Sequence, residues 1–306
     1  GLAPGARRAA GSAIIRPAKA ADVDEICHLL DQRFQKKWVG KGIWESIFNY
    51  SWLEPKTNLG YVVEISGEIV GFQGVIYAER TLDGKRFTTG NLTSWCMRPE
   101  HQSWASALLA TVLEDESVTY TALTPTDSKV RILQEFGFQT KRDSVHFYPA
   151  LAHLGSLLTP RADAGRIHNV TEGAERHLSC EEQRIYRDHA AYDCRQFVFL
   201  KGQEYCFLVS KRRSSQLRKL PVRMGCSYSH VLHCSNWDFL AKHFEYIKLR
   251  IMLDQKTIGV VCDPSCFSDA FRPRGVAMER VTLSRSSGLD RTPIDDLYSE
   301  IVLLPI

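Results

Sequence analysis

The sequence predicts a protein of mixed α and β structure, of the α/β or α+β class, with two similar domains in tandem. Each domain is expected to hold a mixed, mostly antiparallel sheet flanked by helices. Three observations predict this fold. The 306 residues suffice for two domains with separate cores. A strand–helix–strand step follows an antiparallel hairpin in the first half, and hairpin, long strand, helix and strand recur in the second. We therefore predict a disordered tail over 1–12 and domains over 13–150 and 151–306.

Apolar patterns with periods of 2 and 3.6 residues indicate the strands and helices of the first half. A short strand at Ile14–Arg16 precedes a helix that Asp22 can cap, with an apolar stripe from Val23 to Phe34. The later elements follow in the order helix Ile43–Tyr50, strands Gly60–Ile65, Ile69–Tyr77 and Phe87–Met97, helix Ser103–Leu113, strand Val118–Leu123, helix Lys129–Phe136 closed by Gly137, and strand Val145–Tyr148.

A linker at Leu158–Gly165 separates the halves, because it contains proline and glycine and has no strong periodicity. The second half then repeats the order of the first in topology, although not in residues. Its elements are predicted as helix Ser179–Tyr192, hairpin strands Phe197–Leu200 and Tyr205–Ser210, strand Val222–Cys234, helix Trp237–Ile247, strands Leu249–Leu253 and Thr257–Cys262, and a final strand Ile301–Leu304.

Composition excludes several classes of protein. Hydrophobic residues make up 44% and charged residues 24%, which is typical of a soluble globular protein. No apolar run approaches the ~20 residues that span a bilayer, and the N-terminus does not resemble a secretory signal, so we expect a cytoplasmic protein. The net charge of +4 fits an acidic ligand without indicating nucleic acid.

Nine cysteines occur at irregular spacings. Such spacing in a chain of this length indicates reduced thiols rather than a disulfide framework. Cys262, Cys266, His230, His233 and Cys234 contain no paired CxxC motif, so no metal site is predicted.

The segment from Met97 to Leu109 is the most informative part of the sequence. A strand ends there, a short polar loop follows, and an amphipathic helix begins. The amides at the start of a helix are unpaired and carry partial positive charge, so they suit a pyrophosphate. The residues predicted to bind a cofactor here are Met97, Gln102, Ser103, Trp104, Ala105, Ser106 and Ala107.

The same segment carries a resemblance to a known family. Gln102-x-x-Ala105-x-Ala107 resembles the Q/R-x-x-G-x-G/A signature of the acyl-CoA N-acyltransferase (GNAT) superfamily. Gln134-Glu135-Phe136-Gly137-Phe138 resembles the family's helix that ends in Gly-Phe. The resemblance covers roughly residues 13–147.

The resemblance implies acetyl-CoA or another acyl-CoA as cofactor, and acyl transfer to a small-molecule acceptor amine. It implies that peptide amides of the strand ending at Met97 receive the acyl carbonyl, and it adds Thr126, near the family's usual asparagine, to the cofactor site. Two departures stand out: Ala105 replaces the central glycine, and Leu133 replaces the tyrosine that protonates the leaving thiolate.

Four residues are candidates for catalysis. Asn91 and Ser94 lie on the strand that ends at Met97, so they are expected to line its cleft. Tyr298 and Glu300 alternate before the final apolar run, so both can face one cleft if that run is a strand. We predict that Tyr298 and Glu300 lie near the acceptor site.

The whole chain resembles tandem acyltransferase proteins of bacterial exopolysaccharide and surface-polysaccharide gene clusters, which implies an amino sugar as acceptor. Two alternatives remain open. One is a non-catalytic GNAT-like protein with an assembly or regulatory role, which Ala105 and Leu133 favour. The other is a transferase that uses aminoacyl-tRNA. The acceptor, the acyl chain and the oligomeric state are left open by the sequence.

Overall fold

The structure is a computed structural model in which residues 13–34, 42–56, 58–82, 84–150, 167–170, 172–215, 226–264, 267, 275–286 and 295–305 are described. The predicted tail over 1–12 and linker at Leu158–Gly165 lie outside the described residues. The chain divides into two compact units, one formed by Gly1–Gln139 with Leu283–Arg291 and the other by Thr140–Thr282 with Thr292–Ile306.

Twelve strands are described: β1 Ala13–Pro17, β2 Tyr61–Ile65, β3 Glu68–Leu82, β4 Lys85–Met97, β5 Val118–Ala122, β6 Gln139–Pro149, β7 His168–Val170, β8 Arg195–Lys201, β9 Glu204–Ser215, β10 Cys226–Cys234, β11 Gly259–Cys262 and β12 Val276–Arg285. The described α-helices are α1 Val23–Phe34, α2 Ala105–Val112, α3 Asp127–Glu135, α4 Cys180–His189, α5 Trp237–Lys242, α6 Phe244–Gln255 and α7 Glu300–Leu303.

The first unit follows the predicted strand order. Strands β1 to β4 pair antiparallel in sequence, and β4 then pairs parallel with β5 across the helix α2. Residues Leu283–Arg285 of β12 add an antiparallel partner to the far side of β5. The stripe of α1 packs inward as predicted, with Ile26, Leu29 and Leu30 buried.

The helix α3 ends at the predicted glycine. Gly137 has φ +84°, a left-handed conformation that costs a residue without a Cβ little. Its N–H donates to the Gln134 carbonyl at 3.0 Å, and the Phe138 N–H donates to the Leu133 carbonyl at 3.1 Å. These bonds satisfy carbonyls that the end of the helix would otherwise leave unpaired.

The second unit repeats this order. Strands β7, β8, β9 and β10 pair antiparallel, β10 pairs parallel with β11 across α5 and α6, and β11 pairs antiparallel with β6. The predicted fold class, a mixed and mostly antiparallel sheet flanked by helices, is therefore confirmed.

Several element predictions were wrong. The strand predicted at Leu249–Leu253 lies inside α6, because burial of Phe244, Ile247 and Ile251 follows helical spacing and Leu253 is 64% exposed. The helix predicted at Ile43–Tyr50 is a short 3₁₀ helix at Trp44–Ile47.

The final strand predicted at Ile301–Leu304 is the helix α7. Ser299 starts this helix, and its hydroxyl accepts the Ile301 N–H at 3.2 Å. The other end is held by Lys211, whose Nζ donates to the carbonyls of Val302 at 2.5 Å and Leu304 at 2.9 Å. Burial lowers the pKa of Lys211.

No helix among the described residues is long and apolar enough to cross a membrane. The cysteines that the structure describes, among them the buried Cys96, Cys206, Cys234 and Cys262, form no disulfide bonds. Within the same residues, no group of three or more His, Cys, Asp or Glu side chains is arranged to hold a metal ion.

Candidate functional site

The candidate site lies where the two parallel strands of the first unit separate. Pairing between β4 and β5 extends only over Thr88–Asn91 and Val118–Thr121, although β4 continues to Met97. A cavity of about 80 Å³ opens beyond the paired segment. We call it the fork cavity; its lining comes from Gln73 on β3, residues 92–95 on β4, Ala122 on β5, Thr124 and Pro125 after it, and Lys129 and Leu133 on α3.

A β-bulge shapes the β4 wall of the fork cavity. Ser94 and Trp95 together oppose the single residue Gln73, because the register shifts between the pairs that flank them. Ser94 has φ 53° and its hydroxyl lies 3.2 Å from that of Thr93. A bulge re-aims the side chains of its strand, and here the predicted residue Ser94 lines the cavity.

Gln73 contributes a buried acceptor to the same cavity. Its side chain is 1% exposed, and its Nε2 donates to the carbonyls of Gly74 at 2.9 Å and Thr93 at 3.0 Å. Its Oε1 finds no hydrogen-bond partner in the part of the chain that the structure describes. Buried acceptors are normally paired, so this oxygen can receive an N–H group from a ligand.

Lys129 closes the cavity from the side of α3. Its Nζ donates to the Trp95 carbonyl at 2.5 Å and lies 5.0 Å from the centroid of the Trp95 ring. Among the described residues, no carboxylate stands within ion-pair distance of this ammonium group. Burial lowers the pKa of Lys129 to about 8, an effect that the nearby Cys96 opposes.

Sequence reasoning missed Lys129, which it treated only as the start of a helix. One signal was available: Lys129 precedes Leu133 by four residues, so both lie on one face of the helix. The family resemblance implies a proton donor at the position that Leu133 occupies, and Lys129 stands one turn earlier on the same face.

The predicted phosphate-binding loop is more helical than expected. Pro99–Trp104 forms a 3₁₀ helix that continues directly into α2. The His101 N–H donates to the Arg98 carbonyl at 3.0 Å, and the Ala105 N–H donates to the Gln102 carbonyl. The expectation of unpaired amides is therefore wrong at these two positions, since 3₁₀ turns satisfy the N–H groups.

The side chains of this segment divide into two sets. Ala105 is 7% exposed and packs with Met97 and the half-buried Trp104 in one apolar cluster. The methyl group of Ala105 therefore contributes to the core. The exposed set is Gln102, Ser103, Ser106 and Ala107.

Asn91 and Thr126 do not line the fork cavity. Asn91 is buried in the paired part of β4, where its Nδ2 donates to the Thr121 hydroxyl at 3.2 Å. Thr126 is exposed at the N-terminal cap of α3, with its hydroxyl 3.2 Å from that of Ser128. Both residues flank the cavity in sequence, but neither is among the residues that form its wall.

Tyr298 and Glu300 lie in the second unit and are 2% and 3% exposed. The Tyr298 hydroxyl donates to Asp188 Oδ2 at 2.8 Å. The expectation that the two residues alternate along a strand is wrong, because Glu300 is the first residue of α7 and Tyr298 has φ 56°. Their role at an acceptor site stays a prediction.

The equivalent fork of the second unit is filled by its own chain. Parallel pairing of β10 with β11 ends at His230, and a bulge follows at Leu232. The Leu232 carbonyl accepts the Asp296 N–H at 3.3 Å. His230 Nε2 lies 3.2 Å from Asp296 Oδ2, and His233 Nδ1 lies 2.8 Å from Asp295 Oδ2.

Asp296 also forms a two-point ion pair with Arg280. Burial raises the pKa of Asp296, but Arg280 and His230 outweigh it and bring the pKa down to about 2. The segment that fills this fork is therefore held by buried charges.

Three other residues of the first unit that could act as bases are either neutral near pH 7 or paired with an arginine. Burial raises the pKa of Cys96 to about 12, so it is a neutral thiol near pH 7. Glu64 accepts Arg16 Nε at 2.8 Å. Glu68 accepts Arg98 at 2.9 Å. None of the three lines the fork cavity.

Solved structures resemble this architecture over most of its length. A GCN5-related N-acetyltransferase from Kribbella flavida matches with a TM-score of 0.59 and 13% identity, over 92% of this chain and 72% of that one. One from Anabaena variabilis matches with a TM-score of 0.56 and 13% identity, over 89% and 72%. The chain has the GNAT fold.

A third match has a narrower description. It is a fungal multi-domain GH3 β-N-acetylglucosaminidase with a GCN5-related glucosamine N-acetyltransferase region. The TM-score is 0.55 and the identity 13%, over 90% of this chain and 38% of that one. No protein-family model matches the sequence, and no curated protein matches it.

The residues of this GNAT fold suit an acyl-CoA in one unit. A ligand arm that contains amides can pair with the edge of β4 that β5 leaves open, and the Gln73 Oε1 can accept one of its N–H groups. The filled fork of the second unit offers no such edge at Leu232.

Proposed function

We propose that this chain is an acyl-CoA-dependent N-acyltransferase that transfers an acyl group, such as acetyl, to a small-molecule amine. The observation that carries the proposal is the fork cavity. Two parallel strands separate beyond Asn91, and a bulge at Ser94–Trp95 turns polar groups toward the opening. The GNAT fold and a buried, unsatisfied Gln73 oxygen support a ligand that brings N–H groups.

The cofactor has a proposed orientation. The acyl group and thioester enter the fork cavity beside Ser94, and the arm follows β4 toward Met97. The pyrophosphate lies against the exposed face formed by Gln102, Ser103 and Ser106. Amides of the 3₁₀ turn at Pro99–Trp104 would turn from their carbonyls to the phosphate oxygens.

The acceptor is proposed to be an amino sugar. The fungal protein with the same fold contains a region described as a glucosamine N-acetyltransferase. The resemblance to bacterial surface-polysaccharide clusters points to the same chemistry. An amino sugar offers one primary amine for acylation and hydroxyl groups for recognition.

Titration of the full chain with acetyl-CoA by calorimetry tests the cavity. We expect Ala122→Leu to weaken binding at least about tenfold, because its added carbons enter the fork and cost about 1.4 kcal/mol or more. Ala110→Leu is the control, since Ala110 is exposed near the end of α2. Absence of acetyl-CoA binding by the unmodified chain refutes the proposal. Equal affinities of the two variants would show that the cofactor does not enter the fork cavity.

A second pair of variants tests the phosphate face. Ser103→Glu places a negative charge on the exposed start of the segment, and we expect roughly fivefold weaker binding of acetyl-CoA, or about 1 kcal/mol. Ala110→Glu adds the same charge at the other end of α2 and should leave the affinity unchanged. Equal effects of both substitutions would show that the pyrophosphate does not bind at this face.

A non-catalytic binding protein is the second candidate. Two observations favour it: the 3₁₀ turn pairs the Ala105 amide, and Lys129 occupies the Trp95 carbonyl. This candidate predicts no release of CoA in the presence of amines, whether or not acetyl-CoA binds. A thiol assay with glucosamine therefore separates it from the transferase.

A further inference from the structure

We propose that Lys129 is the catalytic acid that delivers a proton to the departing CoA sulfur. This inference rests on the proposed function, since it needs a thioester in the fork cavity. It assigns a role to a side chain that the sequence motif does not include.

The composition of the cavity wall is the first argument. Of the described residues that line the fork cavity, Lys129 carries the one side chain that exchanges protons near neutral pH. The others are Gln73, Trp95, three hydroxyl residues (Thr93, Ser94 and Thr124) and four apolar residues (Leu92, Ala122, Pro125 and Leu133). Leu133, one helical turn from Lys129, has no proton to donate.

The fixed position of the ammonium group is the second argument. The 2.5 Å bond to the Trp95 carbonyl and the approach to the Trp95 ring hold Nζ against the bulge of β4. An ammonium group has three N–H donors, so two remain after this bond. These donors can reach a ligand atom that enters the fork cavity beside Ser94.

The electrostatic surroundings are the third argument. Burial brings the pKa of Lys129 to about 8, so both the ammonium ion and the amine exist near neutral pH. Among the groups that act on Lys129, Cys96 on β4 is the titratable neighbour, and its pKa near 12 keeps it neutral. A group with this balance both donates and recovers a proton efficiently.

The step is balanced without a further reactant. The acceptor nitrogen forms a bond to the acyl carbon while the bond from that carbon to sulfur breaks, and the electron pair moves to sulfur. Lys129 donates a proton to the sulfur, which gives the free CoA thiol and a neutral lysine. The neutral lysine then takes the proton that the new amide nitrogen loses, directly or through water.

Two variants of the full chain test this role. Lys129→Met removes the proton, and Lys129→Arg keeps the charge in a group that does not release a proton in proteins. We expect both to release CoA from acetyl-CoA about 100-fold more slowly or worse with glucosamine as acceptor. We expect their affinities for acetyl-CoA, measured by calorimetry, to remain within about threefold of the unmodified chain.

Two further readouts separate catalysis from a structural role. CoA release by the unmodified chain should fall as pH rises through about 8, since the acid form is lost. Bound acetyl-CoA should protect Lys129 from acetic anhydride in mass spectrometry. Exposed Lys85 is the control and should show no protection.

Several outcomes overturn the inference. Turnover by Lys129→Met within threefold of the unmodified chain does so, as does tight acetyl-CoA binding that leaves Lys129 unprotected; in both cases the transferase proposal survives. A parallel loss of binding and turnover makes Lys129 a binding residue and also overturns the role. Absence of acetyl-CoA binding by the unmodified chain refutes both proposals together.

Discussion

Replacement of Lys129 by methionine should stabilise the protein at neutral pH. A lysine whose pKa is lower in the folded than in the unfolded chain costs stability wherever it is charged in both states. For Lys129 this cost is fully present below about pH 8 and disappears as pH rises toward 10.5, the ordinary value for lysine. Methionine has a similar length and carries no charge, so it avoids the cost.

The magnitude follows from the site. A fall in pKa from 10.5 to about 8 corresponds to about 3 kcal/mol of destabilisation at pH 7. The variant also leaves the Trp95 carbonyl without the Nζ donor, which costs about 1 kcal/mol. We therefore expect Lys129→Met to be more stable by about 2 kcal/mol at pH 7 and less stable by about 1 kcal/mol near pH 10.5.

Urea unfolding at both pH values measures this reversal. The slope of the free energy of unfolding against urea should be the same in both proteins, so that midpoints can be compared. Lys85→Met is the control, because Lys85 is exposed at the start of β4 and should show no reversal. Greater stability of the unmodified chain at pH 7 would refute the account of Lys129 as a half-buried charge without a carboxylate partner.

Two further substitutions test one structural feature in each unit. Asp296→Asn should cost about 3–5 kcal/mol in urea unfolding, because Arg280 stays largely buried without its carboxylate. Asp296 should also make the unmodified chain lose stability as pH falls from about 4 toward 2, since its pKa is lowered to about 2; an acid titration with the same profile in Asp296→Asn would contradict this. Gly60→Ala should cost about 2 kcal/mol or more, because Gly60 has φ +109° and a Cβ would collide with the Gln73 backbone oxygen. An unchanged melting temperature in that variant would contradict the turn geometry.

Local signals carried the correct part of the sequence prediction. The hairpin of β2 and β3, the apolar stripe of α1 and the cap at Gly137 each depend on residues close together in the chain. Patterns of this kind are fixed by backbone chemistry and periodicity. The repeated strand order could be read from the same signals, because each strand is bounded by its own turn.

Short apolar runs were the main source of error. Ile301–Leu304 fits a buried strand or a buried helical turn equally well from periodicity alone. Lys211 stabilises the helical turn from 91 and 93 residues away, since its Nζ donates to the carbonyls of Val302 and Leu304 at the end of α7. The residues of the run alone give no information about that contact.

The sequence indicated part of one wall of the fork cavity. Ser94 lines the cavity, but none of the residues predicted to bind the cofactor from Met97 to Ala107 does. The role of Gln73 depends on a bulge in the neighbouring strand, and that of Lys129 on the hydrogen bond from its side chain to the Trp95 carbonyl. The hydrogen bonds from Gln73 to Thr93 and from Lys129 to Trp95 join residues 20 and 34 positions apart, where periodicity carries no information.

The forks of the two units differ in the group that donates a hydrogen bond to the carbonyl of the bulge. In the first unit the Trp95 carbonyl accepts the side chain of Lys129, which can leave by rotation about its own bonds. In the second unit the Leu232 carbonyl accepts the main chain of Asp296. That residue is fixed by Arg280 and His230, and its release would leave Arg280 without its carboxylate partner, at a cost of several kcal/mol. A ligand that needs an open strand edge should therefore enter the first fork, and the unmodified chain should bind one acetyl-CoA per chain in calorimetry. A stoichiometry of two for the unmodified chain would show that the second fork also opens and would refute this asymmetry.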